Sequence, residues 1–319
     1  MQLDAKDRKI LLELDNDATI GLKQIARKLR TTKEAIAYRI KQLEEKGVIR
    51  NYTAIYNSLK LGLAYYKLYI KFAHITEEKR QAVIDFVKKE KNFGWLATSE
   101  GSFDLMIGVH FPSVLDFDRY KNRLFSKFDS IFQKDSFAVL TEGEVYPRQY
   151  ILGTKNPMRK VFLFCSPSEK ENLDPDDLKI IKALSMNSRA PLTETAKSTQ
   201  LTDRIVRYRK KILENKSVIV GYKLFINYRK LGYMFFKCLI KLQGTSPERF
   251  RDMLLYARQH PNVVYWQKVL GEWNVELDIE VSSIEEFYTI ANEIRYKFSD
   301  IVQKFDTLLV KEDTAVSHF

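Results

Sequence analysis

Two stretches of this chain carry side chains suited to contact with a nucleic acid. Each begins at a threonine and continues with basic, polar and aromatic residues that fall on the outer side of a predicted helix. A helix that enters the major groove needs cations near phosphates and side chains that reach base edges. A capping threonine also leaves backbone N–H groups free for a phosphate. The predicted DNA-binding residues are Thr32, Lys33, Glu34, Ala37, Tyr38, Arg39 and Lys41, and then Thr202, Asp203, Arg204, Arg207, Tyr208, Arg209 and Lys211.

The elements that must position the first stretch are three helices and a strand. Asp4 is a good N-cap for a first helix with apolar residues at helical spacing, and a short second helix follows. Thr32 caps the third helix, Gly47 ends it, and Val48 begins a strand. Two helices, a tight turn, a capped basic helix and a strand pair predict a winged helix-turn-helix.

The second stretch lies in a repeat of the first half. Shifting the second half by 170 positions aligns residues 3–142 with residues 173–312 without a gap, and about a quarter of the positions are identical. This period is far longer than that of a solenoid. It predicts a duplicated two-domain protein, which supplies in one polypeptide what a symmetric dimer supplies with two.

The second segment of each repeat changes to the alternating pattern of half-buried strands. In the first copy a strand at 66–72 is followed by a helix, two strands around Gly101, a helix and a last strand, and the second copy matches around Gly271. This order predicts a ferredoxin-like βαββαβ domain. The exposed face of such a sheet needs a cover, and the simplest cover is the other copy, face to face.

The predicted fold class is therefore α+β, with two repeats paired as an intramolecular pseudo-dimer. The predicted domains are a first winged helix-turn-helix (1–57), a first ferredoxin-like sensing domain (58–145), a linker (146–170), a second winged helix-turn-helix (171–230) and a second ferredoxin-like sensing domain (231–319). The linker includes a possible extra strand at 161–164. Its basic residues would either touch the DNA backbone or simply be solvated, and the second alternative is favoured.

Charge is segregated along the chain in the same pattern. The formal net charge is +12, and the excess lies in the two helix-turn-helix segments (+4 and +6) and the connector (+4), while the sensing domains carry +1 and −3. A segregated basic excess is the electrostatic footprint of a polyanionic partner.

Composition excludes several other classes of protein. Cys165 and Cys238 are far apart, the four histidines are scattered, and no spacing suits a metal site. No apolar stretch approaches the ~20 residues of a membrane helix. The chain has no glycine-rich phosphate loop and no nucleophile constellation. We expect a soluble, cytoplasmic protein with no cofactor, no bound metal and no catalytic residues.

Specific motifs resemble those of the Lrp/AsnC family of transcriptional regulators. The first helix opens with Leu3-Asp4 and Asp7, and the third helix ends in a motif from Tyr38-Arg39 to Gly47-Val48-Ile49, which recurs from Tyr208-Arg209 to Val218-Ile219. The resemblance implies dimeric binding of palindromic or pseudo-palindromic double-stranded DNA and, in some members, an amino acid or other small molecule as effector. Two different recognition helices in one chain would imply an asymmetric operator.

The resemblance also implies effector-binding residues at a turn between the middle strands of each sensing domain. The family's G-x-[YF]-D turn stands here as Gly101-Ser102-Phe103-Asp104. In the second copy the same positions read Gly271-Glu272-Trp273-Asn274. The predicted effector-binding residues are therefore Gly101, Phe103, Asp104, Gly271, Trp273 and Asn274.

Two alternative functions remain open from the sequence. The same double architecture resembles the siroheme decarboxylases, which would imply a tetrapyrrole site with essential histidine and arginine residues. The segments that follow the third helices contain no histidine, and His110 aligns with Glu280. The second alternative is an interaction module whose winged helices bind protein. Further homo-oligomerisation beyond the internal pairing is also open.

Overall fold

The computed structural model describes residues 3–153, 159–244 and 246–315. Its helices are α1 (Ala5–Asn16), α2 (Leu22–Lys28), α3 (Lys33–Glu45), α4 (Glu77–Lys88), α5 (Val114–Phe128), α6 (Pro175–Met186), α7 (Leu192–Thr199), α8 (Asp203–Asn215), α9 (Pro247–Gln259) and α10 (Ile284–Lys297). Its strands are β1 (Ile49–Tyr56), β2 (Ala64–Phe72), β3 (Phe93–Glu100), β4 (Leu105–Phe111), β5 (Phe132–Val145), β6 (Phe162–Cys165), β7 (Ile219–Ile226), β8 (Met234–Leu242), β9 (Val263–Gly271), β10 (Val275–Val281) and β11 (Val302–Ala315). None of the helices in these ranges is long and apolar enough to cross a membrane.

Helices α1–α3 and α6–α8 form two helix-turn-helix units. The Asp4 carboxylate caps α1 by accepting the N–H of Asp7 at 2.8 Å, and Asp174 caps α6, which has proline at its first position. The tight turn before each third helix contains a left-handed residue, Arg30 (φ 50°) or Gln200 (φ 59°). The N-terminal winged helix-turn-helix and the mixture of helices and strands predicted from the sequence are confirmed.

The strand that follows each recognition helix pairs differently from the expected local wing. β1 pairs with β7 in an antiparallel ribbon, with Tyr52 opposite Leu224 and Ala54 opposite Tyr222. The winged helix-turn-helix assignment stands, but the strand pair expected to be local to each unit forms between the two units. Each half supplies one strand, and the ribbon joins the two helix-turn-helix units through backbone hydrogen bonds.

The remaining strands form one sheet whose first eight members close into a ring. Its order is β2-β4-β3-β11-β8-β10-β9-β5-β6, and β2 also pairs with β5. The two long strands make the closure possible: β5 pairs with β2 over its first part and with β9 over its second, and β11 does the same with β8 and β3. A closed ring leaves no unpaired sheet edge between the two halves.

Apolar side chains from both faces of the ring form separate cores. Helices α4 and α5 cover the outer face of the first half, around Leu68, Ile107 and Phe117, and helices α9 and α10 cover the second. The inner face is also packed, with Tyr69 and Trp273 among its buried residues. The inner face differs from an ordinary core because it also holds charged side chains.

The connector is built into the fold, contrary to the expected solvated linker. The predicted extra strand is present as β6, which pairs with the end of β5, and Phe162 is fully buried. The Arg148 side chain is buried between the halves. The buried Arg159 guanidinium donates to the carbonyl of Arg258 at 2.6 Å. These two charges are therefore structural, and the expectation that the connector is a plain solvated segment is corrected. Residues 154–158 of the predicted linker lie outside the described ranges.

Candidate functional site

The first recognition helix, α3, presents an exposed polar face. The Thr32 hydroxyl caps it by accepting the N–H of Ala35 at 3.2 Å. Tyr38 is 66% exposed. The other predicted contact residues on this face are Lys33, Glu34 and Lys41, which are exposed, and Ala37, which is half-buried. Acidic residues balance the basic ones along α3, whose net charge is 0.

The second recognition helix, α8, presents the same face with far more positive charge. Thr202 caps it by accepting the N–H of Ile205 at 3.3 Å, and Tyr208 is 67% exposed. The other exposed residues of the predicted set are Asp203, Arg204, Arg207 and Lys211. The net charge of α8 is +3. The two helices therefore offer unequal electrostatic attraction to the same polyanion.

Two of the predicted DNA-binding residues are held by ion pairs within the protein. The Arg39 guanidinium donates to the carboxylates of Asp4 and Asp7, both at 2.7 Å. Arg209 is held in the same way by Asp174 and Asp177. Their charge is compensated, so we treat them as positioning residues that fix each recognition helix against the first helix of its unit.

The last turn of each recognition helix is tied to the β1–β7 ribbon. The Tyr52 hydroxyl donates to Glu44 at 2.5 Å, and Tyr222 donates to Glu214 in the second copy. Burial and the neighbouring carboxylate together raise the pKa of Tyr52 well above its ordinary value. The phenol therefore stays protonated as a donor, and the orientation of α3 and α8 is coupled to the strands that join the two halves.

The glycines of the two predicted effector turns lie at the seam between the halves. A Cβ at Gly101 (φ 135°) would be 2.8 Å from the Thr307 carbonyl oxygen, and one at Gly271 would be 2.7 Å from the Phe137 carbonyl oxygen. These glycines allow each turn to approach the long strand of the opposite half. The geometry gives them a packing role.

Asp104 and Asn274 hold the same turns in place through hydrogen bonds within their own halves. The Asp104 carboxylate accepts the backbone N–H of Phe72 at 2.9 Å, and the Asn274 side-chain oxygen accepts that of Leu242 at 2.8 Å. Asparagine can replace aspartate here because the contact needs only an acceptor oxygen. The departure of the second copy from the family's turn therefore preserves the local structure.

The two remaining residues predicted to bind an effector lie at one cavity. Phe103 and Trp273, with ring centroids 6.1 Å apart, line a cavity of about 260 Å³, which we call the turn cavity. Its other lining residues are Lys134, Leu239, Lys241, Glu272, Lys304 and Asp306. Three lysines and two carboxylates around aromatic rings suit a small ligand with both an anionic and a cationic group.

Sequence reasoning missed a buried charged network on the inner face of the ring. Strand β10 alternates apolar residues with Glu276, Asp278 and Glu280, and all three acidic side chains point inward and are buried. Alternation of this kind normally indicates an acidic face in solvent. The sequence signal that could have indicated these carboxylates is the lysine at two equivalent strand positions, Lys67 and Lys237. Both lysines are buried, and buried carboxylates need such partners.

Hydrogen bonds join this network across the two halves. Lys67, from the first half, donates to Glu276 and Gln267 of the second, and Lys237 donates to Glu276 and Asp278. Burial alone would raise the pKa of Glu276, but the two ammonium groups overcome it and hold that pKa at about 2. Burial lowers the pKa of Lys67 to about 8.

A second buried network ties the connector to both halves. The Arg148 guanidinium donates through Nε to Glu280 at 2.9 Å and through Nη1 to Asp15 at 3.3 Å. Lys223 of the ribbon donates to the same Asp15 at 3.0 Å. One carboxylate of α1 therefore contacts both the connector and β7, which links the first helix-turn-helix unit to the ring of strands.

A second cavity lies between these networks. Its volume is about 80 Å³, and strands of the ring, β6 and β7 all contribute to it. We call it the inner cavity. Tyr65, Trp95, Phe225, Lys67 and Asp278 are among its lining residues.

Two capped, exposed recognition helices in helix-turn-helix units define a DNA-binding protein of the winged helix class. A family model described as winged helix-turn-helix DNA-binding matches residues 3–50. The chain is 31% identical over 127 residues to PF1734 of Pyrococcus furiosus, an uncharacterized HTH-type transcriptional regulator, covering 84% of that protein and 40% of this chain. The chain belongs to the Lrp/AsnC family of transcriptional regulators.

Two further proteins extend the comparison. The HTH-type transcriptional regulator LrpA of Pyrococcus horikoshii is 40% identical over 83 residues, covering 25% of this chain and 56% of LrpA. Over 97% of the chain the fold is similar to 91% of the siroheme decarboxylase NirDL, with a TM-score of 0.63 and 14% identity. NirDL has also been solved in complex with an iron-uroporphyrin III analogue. At this identity the likeness concerns the fold.

Proposed function

We propose that this chain is a sequence-specific DNA-binding transcriptional regulator that acts as its own dimer. Its two halves, related by duplication, would present α3 and α8 to two half-sites of one duplex. The observation that carries the proposal is the pair of exposed recognition faces joined by the β1–β7 ribbon. In this fold a symmetric dimer reads two half-sites one helical turn, or a multiple of it, apart.

The two half-sites should differ in sequence and in the type of contact. Arg204, Arg207 and Lys211 supply cations on α8 where α3 has few, so α8 gains more from phosphate contacts. The helices also differ at positions that would face base edges. We therefore expect an asymmetric operator.

The turn cavity is the proposed effector site, and an amino acid is the proposed ligand class. Lys134, Lys241 and Lys304 would bind a carboxylate, while Glu272 and Asp306 would bind an ammonium group. The aromatic rings of Phe103 and Trp273 would contact an apolar side chain. Because both halves contribute residues to this cavity, a bound effector would stabilise one arrangement of the halves.

DNA binding is tested by measuring affinity for a selected duplex as salt is varied. Phosphate contacts give a linear fall of log affinity with log salt, by ~0.9 for each contact. Arg207→Ala should lower that slope, whereas Lys297→Ala on α10, a matched control outside the helix-turn-helix units, should leave it unchanged. A flat salt response, or no binding to duplex, would favour the protein-binding module instead.

A tetrapyrrole enzyme is the second candidate, and full-length similarity to the fold of NirDL is the observation that favours it. The charges of the inner cavity argue against it. Lys67, Lys237 and Arg148 each already contact a buried carboxylate, so a polycarboxylate tetrapyrrole would compete with those carboxylates for its partners. Incubation with siroheme tests this directly: a shifted Soret absorbance and loss of carboxylate groups would support the enzyme.

A further inference from the structure

The inner cavity has no assigned role in the proposed function. It is separate from the recognition faces, and none of its lining residues lines the turn cavity. Seven aromatic residues are among its described lining, including Tyr65, Trp95 and Phe225. Its volume of about 80 Å³ limits an occupant to a small molecule, and its lining is mostly apolar with a few placed polar groups, as in small-molecule sites.

The polar groups of the cavity leave no net charge for a ligand to neutralise. Lys237 donates to Asp278, and Arg148 donates to Glu280. The third lining carboxylate, Asp313, has a guanidinium nitrogen of Arg50 at 3.7 Å, so each of the three already has a cation. A charged ligand would have to displace one of these buried partners, which is costly in a low-dielectric interior. An uncharged ligand avoids that cost.

Hydrogen-bonding groups of both kinds nevertheless face this space. The Gln267 side chain accepts from Lys67 and approaches Asp278 through its amide nitrogen at 3.4 Å, a long contact that leaves the carboxylate able to accept again. Donors and acceptors therefore stand side by side among aromatic rings. This combination fits the edge and the face of a planar heteroaromatic ring.

The cavity lies where the two repeats meet, because both members of repeat-related pairs such as Lys67 and Lys237 line it. Its two sides differ, since at an offset of 170 Asp278 corresponds to Gly108 and Glu280 corresponds to His110. A Cβ at Gly108 would lie 1.9 Å from the Tyr65 hydroxyl oxygen, so this position has no room for a side chain. One chain thus provides one such site.

We propose that the inner cavity binds one uncharged, planar heteroaromatic molecule per chain, of the nucleobase or nicotinamide class. Its ring contacts the aromatic walls, and its edge hydrogen-bonds to Asp278 and Gln267. This site is independent of the turn cavity and of DNA binding.

The proposal is tested on the full-length protein with adenine and nicotinamide as probes. At millimolar concentration one of them should raise Tm by about 3 °C or more. It should bind one molecule per chain in equilibrium dialysis and quench the fluorescence of Trp95.

Trp95→Phe should remove that quenching while Trp266 and Trp273 still emit. Phe225→Trp, which fills the cavity, should weaken binding by at least about tenfold. Phe137→Trp, the same change at an exposed position outside the cavity, should not.

Absence of binding by both probes overturns the proposal. So does binding that Phe225→Trp leaves unchanged, or quenching that persists in Trp95→Phe, because the ligand would then lie elsewhere. Binding of coproporphyrin III in preference to both probes would reassign the cavity to tetrapyrroles. None of these outcomes depends on whether the protein binds DNA.

Discussion

At the scale of single residues, the two recognition helices differ at the position that follows their C-terminal ends. Ser217 corresponds to Gly47 at an offset of 170, and both adopt the left-handed conformation that follows the third helix (φ 55° and 64°). Glycine adopts it freely, whereas a residue with a Cβ pays a steric cost.

Ser217→Gly should therefore stabilise the protein by about 1 kcal/mol. The free energy of unfolding from urea titration measures the change. Ser217→Ala, which keeps the Cβ, is the matched control and should give no gain. Equal stability of the two variants would mean that the left-handed backbone is not the source of the effect.

The buried charge of Glu276 makes a pH-dependent contribution. Its pKa is about 2 in the folded state, below its ordinary value of 4.5. As pH falls, the Glu276 carboxylate is therefore protonated in the unfolded chain before it is protonated in the folded protein. The stabilisation from this charge is complete above pH 4.5 and is lost as pH falls towards 2.

Glu276→Gln leaves two buried ammonium groups without this partner and should cost about 3–5 kcal/mol at neutral pH. Urea unfolding of both proteins at a series of pH values measures it. The difference between them should shrink as the pH falls from 4.5 towards 2. A difference that stays constant over that range would contradict the assigned pKa.

At the scale of elements, two of the three arginines of α8 have different expected roles. Arg207 is exposed, and Arg209 is held by acidic residues at the start of α6. Arg207→Ala should lower the salt slope of DNA binding by ~0.9 without loss of stability. Arg209→Ala should leave that slope unchanged and lower stability by up to about 1 kcal/mol. Equal slopes for the two variants would contradict this division.

Periodicity predicted most helices and strands because it depends on local burial. The winged helix units and strands around Gly101 and Gly271 follow from it. Which strands pair with each other was not predictable. The β1–β7 pair joins the two halves, and sequence spacing alone does not indicate a contact between them.

The candidate site was predictable in type but less so in detail. Basic residues of α8 indicate a polyanion, but nothing local shows that Arg39 is engaged by α1. The acidic alternation of β10 has the same pattern whether its polar face meets solvent or buried lysines. Only closure of the ring places Lys67 opposite Glu276. Long-range pairing therefore decides which charges are free.

At the scale of the whole molecule, close packing at the seam holds the halves together. Gly271→Ala would place a Cβ 2.7 Å from the Phe137 carbonyl oxygen on β5. We expect a loss of about 1–3 kcal/mol from overpacking, measured by urea unfolding. Gly21→Ala is the matched control, since its Cβ would make an ordinary 3.7 Å contact with Gln24. Similar losses in both variants would show that the seam is more tolerant than its geometry implies.

At the same scale, a bound effector would contact both halves, because both line the turn cavity. Lys241→Ala and Lys304→Ala should abolish any change in DNA affinity caused by an amino acid while leaving basal affinity intact. Affinity measured with and without a panel of amino acids checks this. A response that survives in both variants would place the effector elsewhere.

The proposed function requires that one molecule binds one duplex with two unequal recognition helices. Selection of bound sequences from a random duplex pool, with the stoichiometry of the selected complex, tests this most directly. We expect enrichment of a bipartite, asymmetric site bound by one chain, with half-sites an integral number of helical turns apart. A single half-site, a perfect palindrome bound equally well, or no enrichment at all would contradict it.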